Sequence, residues 1–447
     1  MSMSDQPSYT LFHYHLSHYH FDSNTSKLPD KRMAETSSID LKLTNVCLPG
    51  QADRWQVAID QGKIVEIAAS ILTPAITTLD AQGKLLLPGL VDAHIHLDKA
   101  FLLDRVQWHT GTFSEALQQT AAAKRSFTLE DIQARARRVI EQAIGFGTTA
   151  MRSHVEVDPM IQLTGLKALL PLRDEYAWGL TLQLAVFAQE GITNLPGTEA
   201  LLRQAMALGG DVIGSAPYVD PEPEQNIRIV FDLAQDFDCD VDFHLDFLDD
   251  DAPLLLPVVI AETQKRGWQG RVCLGHMTKL AGLPPAELSA IAHATATAGI
   301  SILALPSTDL YMMSRRDTHN TRRGVAPVHT LATYGVNTGV ATNNVQNLFT
   351  PFGDGDLLKL CTLLAQVLHL NTAMSHEQCL AMATTQAAQA IGIPNHGLAP
   401  GNTADLVLIN ATSVTEAIGA APVDRTVIKQ GRIVAQSQRQ QTLFPTR

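Results

Sequence analysis

Cysteine, charge and long apolar runs are all scarce in this chain, and each shortage removes a class of protein. The five cysteines, Cys47, Cys239, Cys273, Cys361 and Cys379, are scattered, odd in number and never in a CxxC pair. Neither a disulfide framework nor a thiolate zinc site is expected, and a reducing cytoplasm is the natural location. Charged residues fill only 17% of the 447 positions, with 33 Lys and Arg against 45 Asp and Glu, a formal net charge of -12. Such a field repels phosphate backbones and anionic lipid, so no nucleic acid and no membrane is expected as a partner. No stretch approaches the ~20 consecutive apolar residues of a membrane span, and the N-terminus lacks the basic-then-apolar order of a secretory signal. No G-x-G-x-x-G follows the first strand of the central region, which argues against a doubly wound nucleotide-binding sheet.

What is present is a 45% hydrophobic composition, enough to bury a large core. A barrel of eight βα units takes about 250 residues, so the length accommodates one barrel and one small companion domain. Residues 1–37 are polar and aromatic without useful periodicity and are expected to be a disordered tail, in which His13, His15, His18 and His20 have no fixed ligand geometry. Over 38–87 the pattern changes to short alternating runs, IDLKLTNV, WQVAID and IVEIAA, separated by turns. The same texture returns over 396–436 in GNTADLVLI and RTVIKQGRIVAQ, ahead of a C-terminal tail at 437–447. The two flanking segments are expected to pair into one small β-sandwich domain.

Over 88–395, strand-like runs alternate with helical ones: GLVDAHIH, TTAMRSHVEV, GLTLQLAVFA, DVIGSAP, DVDFHLD, RVCLGH, ISILALP and VNTGVAT. Eight such runs predict a closed α/β TIM barrel. The intervening LEDIQARARRVIEQAIGFG and TEALLRQAMALGG carry apolar residues at i, i+3 and i+4 and end at glycine, as amphipathic outer helices should.

The strongest chemical signal is His94-Ile95-His96. Alternate residues of a strand point the same way, so both imidazoles face one side at the end of the first strand. In a TIM barrel the carboxyl ends of the strands form the reaction face. His154 and Glu156 end the second strand, His244 and Asp246 the fifth, and His276 the sixth. A lone histidine in an apolar run is ordinarily a satisfied core residue. Several independent strands bringing imidazole to one end instead match a divalent transition metal, which needs three or four donors converging at about 2 Å. His94, His96 and His244 are the expected ligands. Lys99 could suggest a carboxylated bridging lysine, but such a residue normally comes from a separate strand, and no lysine ends the fourth; one metal is expected.

The run LLPGLVDAHIHLDKAF, the flanking β segments and LAPGNTADLVLI resemble the amidohydrolase superfamily. RSHVEVD, AQEG at 188–191, DVDFHLD, GH at 275–276 and TPFG at 350–353 resemble its cytosine deaminase branch, and the likeness runs from residue 39 to about 436. The resemblance implies that His94, His96 and His244 hold one divalent metal, zinc or iron. It further implies that Gln189 hydrogen-bonds a heterocyclic substrate and that His276 stands beside the activated water. His154 is expected at the substrate or behind the ligands.

Two positions depart from the branch. Where relatives carry a proton-shuttling glutamate one residue beyond the fifth-strand aspartate, this chain has Phe247. Where they carry a metal-bound aspartate after the eighth strand, the nearest match is Asn343. A carboxamide oxygen can coordinate a metal but has no useful basicity near neutral pH. Either Asp246 or His276 has taken over as base, or the metal hydroxide needs none, or hydrolysis is lost. Phe247 is read either as core packing or as a pocket wall favouring a less polar ring or an N-substituted amide. The expected function is hydrolysis of a C–N bond in a small nitrogen heterocycle or N-substituted cyclic amide; a catalytically silent metal- or ligand-binding barrel is the alternative. By analogy with the family, a homo-oligomer is expected.

Overall fold

The structure is a computed structural model and describes residues 38–247 and 250–444. The tail expected over 1–37, with its histidines, lies outside the described residues, as do Leu248, Asp249 and residues 445–447. Strands β1 (Ile39–Cys47), β2 (Arg54–Asp60), β3 (Lys63–Ala68), β4 (Ala75–Asp80) and β5 (Leu85–Pro88) precede the barrel. The barrel strands are β6 (Leu90–Ile95), β7 (Thr148–Glu156), β8 (Thr181–Ala188), β9 (Val212–Ser215), β10 (Asp240–Leu245), β11 (Val272–His276), β12 (Ile300–Ala304) and β13 (Asn337–Val340). Strands β14 (Leu406–Ile409), β15 (Arg425–Lys429) and β16 (Arg432–Ser437) close the chain.

The flanking strands form one eight-stranded sheet in the order β16-β15-β14-β5-β1-β2-β3, with β4 pairing β1. The join between the two distant segments is the antiparallel pair β5–β14, which sets Leu86 opposite Leu408 and Leu87 opposite Val407. Period-two alternation then sorts the faces. Leu86, Leu406 and Leu408 enter the sheet's own core with Leu41, Leu43 and Ile59, while Leu85, Leu87, Val407 and Ile409 join the main core of the barrel and its helices.

The central strands lie in sequence order, β6 to β13, all parallel, as the eight sequence runs predict. The ring closes three residues beyond the end of β13: Asn343 N donates to His94 O at 2.7 Å, and His96 N donates to Asn343 O at 2.8 Å. The outer helices sit where the 3.6-residue pattern put them. Helix Leu129–Gly145 is capped by the Thr128 side chain and buries Ile132, Ala136, Val139, Ile140 and Ala143; helix Thr198–Leu208 buries Leu202, Ala205 and Met206. No helix of the described residues is long and apolar enough to cross a membrane.

Candidate metal centre and active site

Alternation along the barrel strands puts an unusual number of polar groups inside. On β7, Met151 and Val155 face the helix layer while Arg152, His154 and Glu156 face inward. On β10, Val241, Phe243 and Leu245 face outward and Asp242 and His244 inward. Stacked layers result. Deepest is Arg152, bonded to Gln183 at 3.0 Å and Asp242 at 3.0 Å. Above it His154 brings Nε2 within 3.1 Å of Asp242 Oδ1 and stacks on His94 at 3.8 Å between ring centroids.

His94, His96 and His244 converge above that layer. His244 Nε2 lies 3.1 Å from His94 Nε2 and 3.1 Å from His96 Nε2. Burial, with further contributions from neighbouring positive and imidazole groups, holds all three well below the ordinary histidine range, so each ring is neutral and carries a lone pair. Gly275 makes room: a Cβ there would stand 2.9 Å from two atoms of the His94 ring. In the tautomer that leaves each Nε2 unprotonated, the three lone pairs face one another and repel unless a cation lies among them. Two nitrogens at about 2.1 Å from one ion, subtending roughly tetrahedral or octahedral angles, stand about 3.0–3.4 Å apart, so the observed separations fit a divalent metal. Asn343, in left-handed backbone at φ 60°, is fixed between His94 and His96 by the closing bonds, and its buried Oδ1 has no hydrogen-bond partner among the described residues. That oxygen is a fourth donor of the right kind.

A cleft of about 250 Å³ opens over these groups, lined by His96, His244, His276, Asn343, Lys99, Gln189, Phe247 and others. A far larger groove of about 1950 Å³, between β4, β16 and Trp178, holds none of the predicted site residues; converging polar atoms, not volume, locate the chemistry. Gln189 Oε1 accepts from Lys99 Nζ at 3.2 Å, and the same amide hydrogen-bonds Tyr218. Phe247 packs on His276 at 4.0 Å and on Phe113 at 5.6 Å, so it is at once a core residue and a cleft wall. His276 Nδ1 lies 2.7 Å from Asp309 Oδ1.

Besides His94, which joins the site through the histidine cluster rather than the cleft wall, two sequence-predicted site residues do not line the cleft. Asp246 turns its carboxylate to the start of helix Leu256–Arg266, accepting from Leu255 N at 2.9 Å and Leu256 N at 3.1 Å. Burial raises its carboxyl to about 6, against those two bonds, but it does not line the cleft. His154 is likewise screened by His94. Conversely, sequence reasoning assigned no role to Tyr218, Thr308, Asp309, Phe113 or Phe349, and set Lys99 aside. Phe113 belongs to helix Phe113–Lys124, which also delivers Lys124; the Thr112 cap and its i, i+3 spacing were the available signal.

Beside the cleft lies a charged cluster. Lys99 Nζ bonds Glu156 Oε1 at 2.6 Å; Lys124 Nζ meets Glu156 at 2.5 Å, Asp158 at 2.9 Å and Glu190 at 2.6 Å. Burial opposes ionisation of Glu156, but Lys124 and Lys99 outweigh it and hold the carboxyl at about 2. Asp98 Oδ2 accepts from Glu156 N at 2.9 Å, tying the loop after β6 to the end of β7.

Barrel, appended sheet and histidine cluster together define a class of protein, and comparison with known proteins agrees. Residues 104–435 match the amidohydrolase family, and the chain belongs to it. It is a hydrolase acting on carbon–nitrogen bonds other than peptide bonds. It is 28% identical to N-isopropylammelide isopropyl amidohydrolase of Pseudomonas sp. (strain ADP), over 90% of this chain and 99% of that protein. It is 28% identical to pterin deaminase of Rhizobium rhizogenes, over 85% and 88%. The crystal structure of 5-methylcytosine deaminase from Klebsiella pneumoniae liganded with 5-fluorocytosine superposes with a TM-score of 0.85 at 29% identity, covering 90% of this chain and 99% of that one.

Proposed function

We propose that the protein hydrolyses a C–N bond, by deamination or amine release, in a nitrogen heterocycle or N-substituted cyclic amide. In this reading one divalent metal, zinc or iron, is held by His94, His96 and His244, with the Asn343 carboxamide oxygen as a further ligand. The observation that carries it is the approach of His244 Nε2 to 3.1 Å from both His94 Nε2 and His96 Nε2, beneath and beside the cleft. Relatives named for action on ammelide, pterin and methylcytosine support the substrate class. A divalent ion in that position supplies the Lewis acidity that lets water attack at neutral pH.

The chain's own groups complete the site. Lys99 and Gln189 present N–H donors to a carbonyl or ring nitrogen, and Phe247, Phe113 and Phe349 offer apolar faces to the ring or its N-substituent. His276 is the proton acceptor. The competing reading, a silent binding barrel, draws on one observation: no carboxylate lines the cleft among the described residues. A screen for ammonia or amine release from pyrimidines, triazines, pterins and N-substituted ureas, with and without chelator, decides. Chelator-sensitive release is expected; silence on all of them with metal fully loaded favours the rival.

A further inference from the structure

We propose that Asp309 is the positioning residue that makes His276 the general base of this site, so that the pair does what Asn343 and Phe247 cannot. The inference rests on the hydrolytic reading above. Three nearby carboxylates are all diverted from the cleft: Glu156 is held by Lys99 and Lys124, Asp246 by two backbone amides, and Asp309 by His276. Among the described residues, Asp309 is the carboxylate that bonds a ring lining the cleft.

Asp309 is 0% exposed, and its second oxygen accepts from Leu305 N at 3.1 Å, so the carboxylate is fixed before it meets the ring. His276 Nδ1–H donates to its first oxygen at 2.7 Å, which leaves Nε2 as the accepting nitrogen. Phe247 covers the ring at 4.0 Å and limits its rotation. His276 itself is in left-handed backbone at φ 75°, a cost that histidine bears only where the surroundings impose it. The phenylalanine at the family's glutamate position thus serves as a clamp on the base.

In the reaction, His276 Nε2 takes one proton from water as the water oxygen bonds to the substrate carbon. The C–N bond then breaks with its electron pair on nitrogen, and the same proton passes from Nε2 to that nitrogen, which leaves as ammonia or amine. Asp309 stabilises the imidazolium between the two transfers and keeps the ring in one tautomer.

Kinetics and metal content of four variants test this: Asp309→Asn, Asp309→Glu, His276→Gln and the double Asp309→Asn/His276→Gln. Asp309→Asn is expected to lower kcat about 100-fold or more, with KM changed less than about threefold and metal retained. Asp309→Glu should recover part of the loss, and the double variant should be no slower than His276→Gln alone, because the two act as one unit. A kcat within about threefold of the parent in Asp309→Asn, or losses that multiply in the double variant, overturns the proposal while leaving hydrolysis intact. Nitrogen NMR of the unsubstituted protein labelled at histidine, with the His276 signal assigned by its loss in His276→Gln, needs neither substrate nor an Asp309 variant that folds. A proton on Nδ1 is expected, from the 2.7 Å contact with Asp309; a proton on Nε2 with Nδ1 bare overturns the proposal, even if the substrate screen fails and sinks the hydrolytic reading separately.

Discussion

Two buried polar clusters meet at the mouth of this barrel, and they are built in opposite ways. Around Glu156, cations and carboxylates alternate: Lys99 and Lys124 share Glu156, and Lys124 also reaches Asp158 and Glu190. Around His94, three neutral rings point Nε2 at Nε2, and Oδ1 of Asn343 beside them is buried with no hydrogen-bond partner among the described residues. An unsatisfied buried polar atom costs about 1–3 kcal/mol. The first cluster is complete and holds helix Phe113–Lys124 against the barrel; the second is complete only with a ligand. Satisfaction, not polarity, separates a structural charge network from a working site.

Substitutions can break or sharpen that contrast. The largest effect is expected for His94→Ala and His244→Ala, which should abolish metal binding and lower turnover by roughly 10³-fold or more; metal retained by both variants, measured by elemental analysis, would remove them as ligands. Next, Glu156→Gln leaves Lys99 and Lys124 under-compensated in a buried site and should cost about 3–5 kcal/mol of stability in urea unfolding, with the His94, His96 and His244 donors untouched. A change in metal content without loss of stability would reverse the roles assigned to the two clusters.

The same cluster has a pH signature. Because the Glu156 carboxyl is held at about 2, below its ordinary 4.5, its contribution is present in full above 4.5 and is lost as pH falls toward 2. Acid unfolding of the parent should therefore steepen in that window, and Glu156→Gln should flatten it. Asn343→Asp restores a charged oxygen between His94 and His96 and should tighten metal binding about 10-fold or more, read by competition with a chelator; unchanged affinity would place Asn343 outside the coordination sphere. Smallest is Gln189→Ala, expected to raise KM by roughly 10-fold at unchanged metal content.

Much of the fold was legible because the period of the pattern carries it. Each of the eight apolar runs lies at one barrel strand, and Leu129–Gly145 and Thr198–Leu208 follow their helical spacing. His94 and His96 could be placed on one face because they are two apart in a strand, and His244 and His276 because they end later strands. Asp246 misled for a related reason: two residues beyond His244, alternation would keep it on the same face, but the chain leaves the strand after Leu245 at φ 47° and the carboxylate caps the next helix instead. Lys99 was set aside as a lysine off the strand ends, although its long stem reaches Gln189 and the cleft. Asp309 had no signal at all, since a buried aspartate in the first turn of helix Pro306–Met312 looks the same as an ordinary helix start.

By itself the order of residues determined which side chains are strand or helix, which alternate inward, and hence that imidazoles from separate strands share one end of a closed barrel. Only tertiary structure decided which inward groups are spent on one another and which remain free to act. The physical reason is that pairing in space depends on which strand, loop or helix stands opposite, and contacts such as His276 with Asp309, Lys124 with Glu156, and Asn343 with the His94 and His96 backbone join residues 32 to 249 positions apart in the chain.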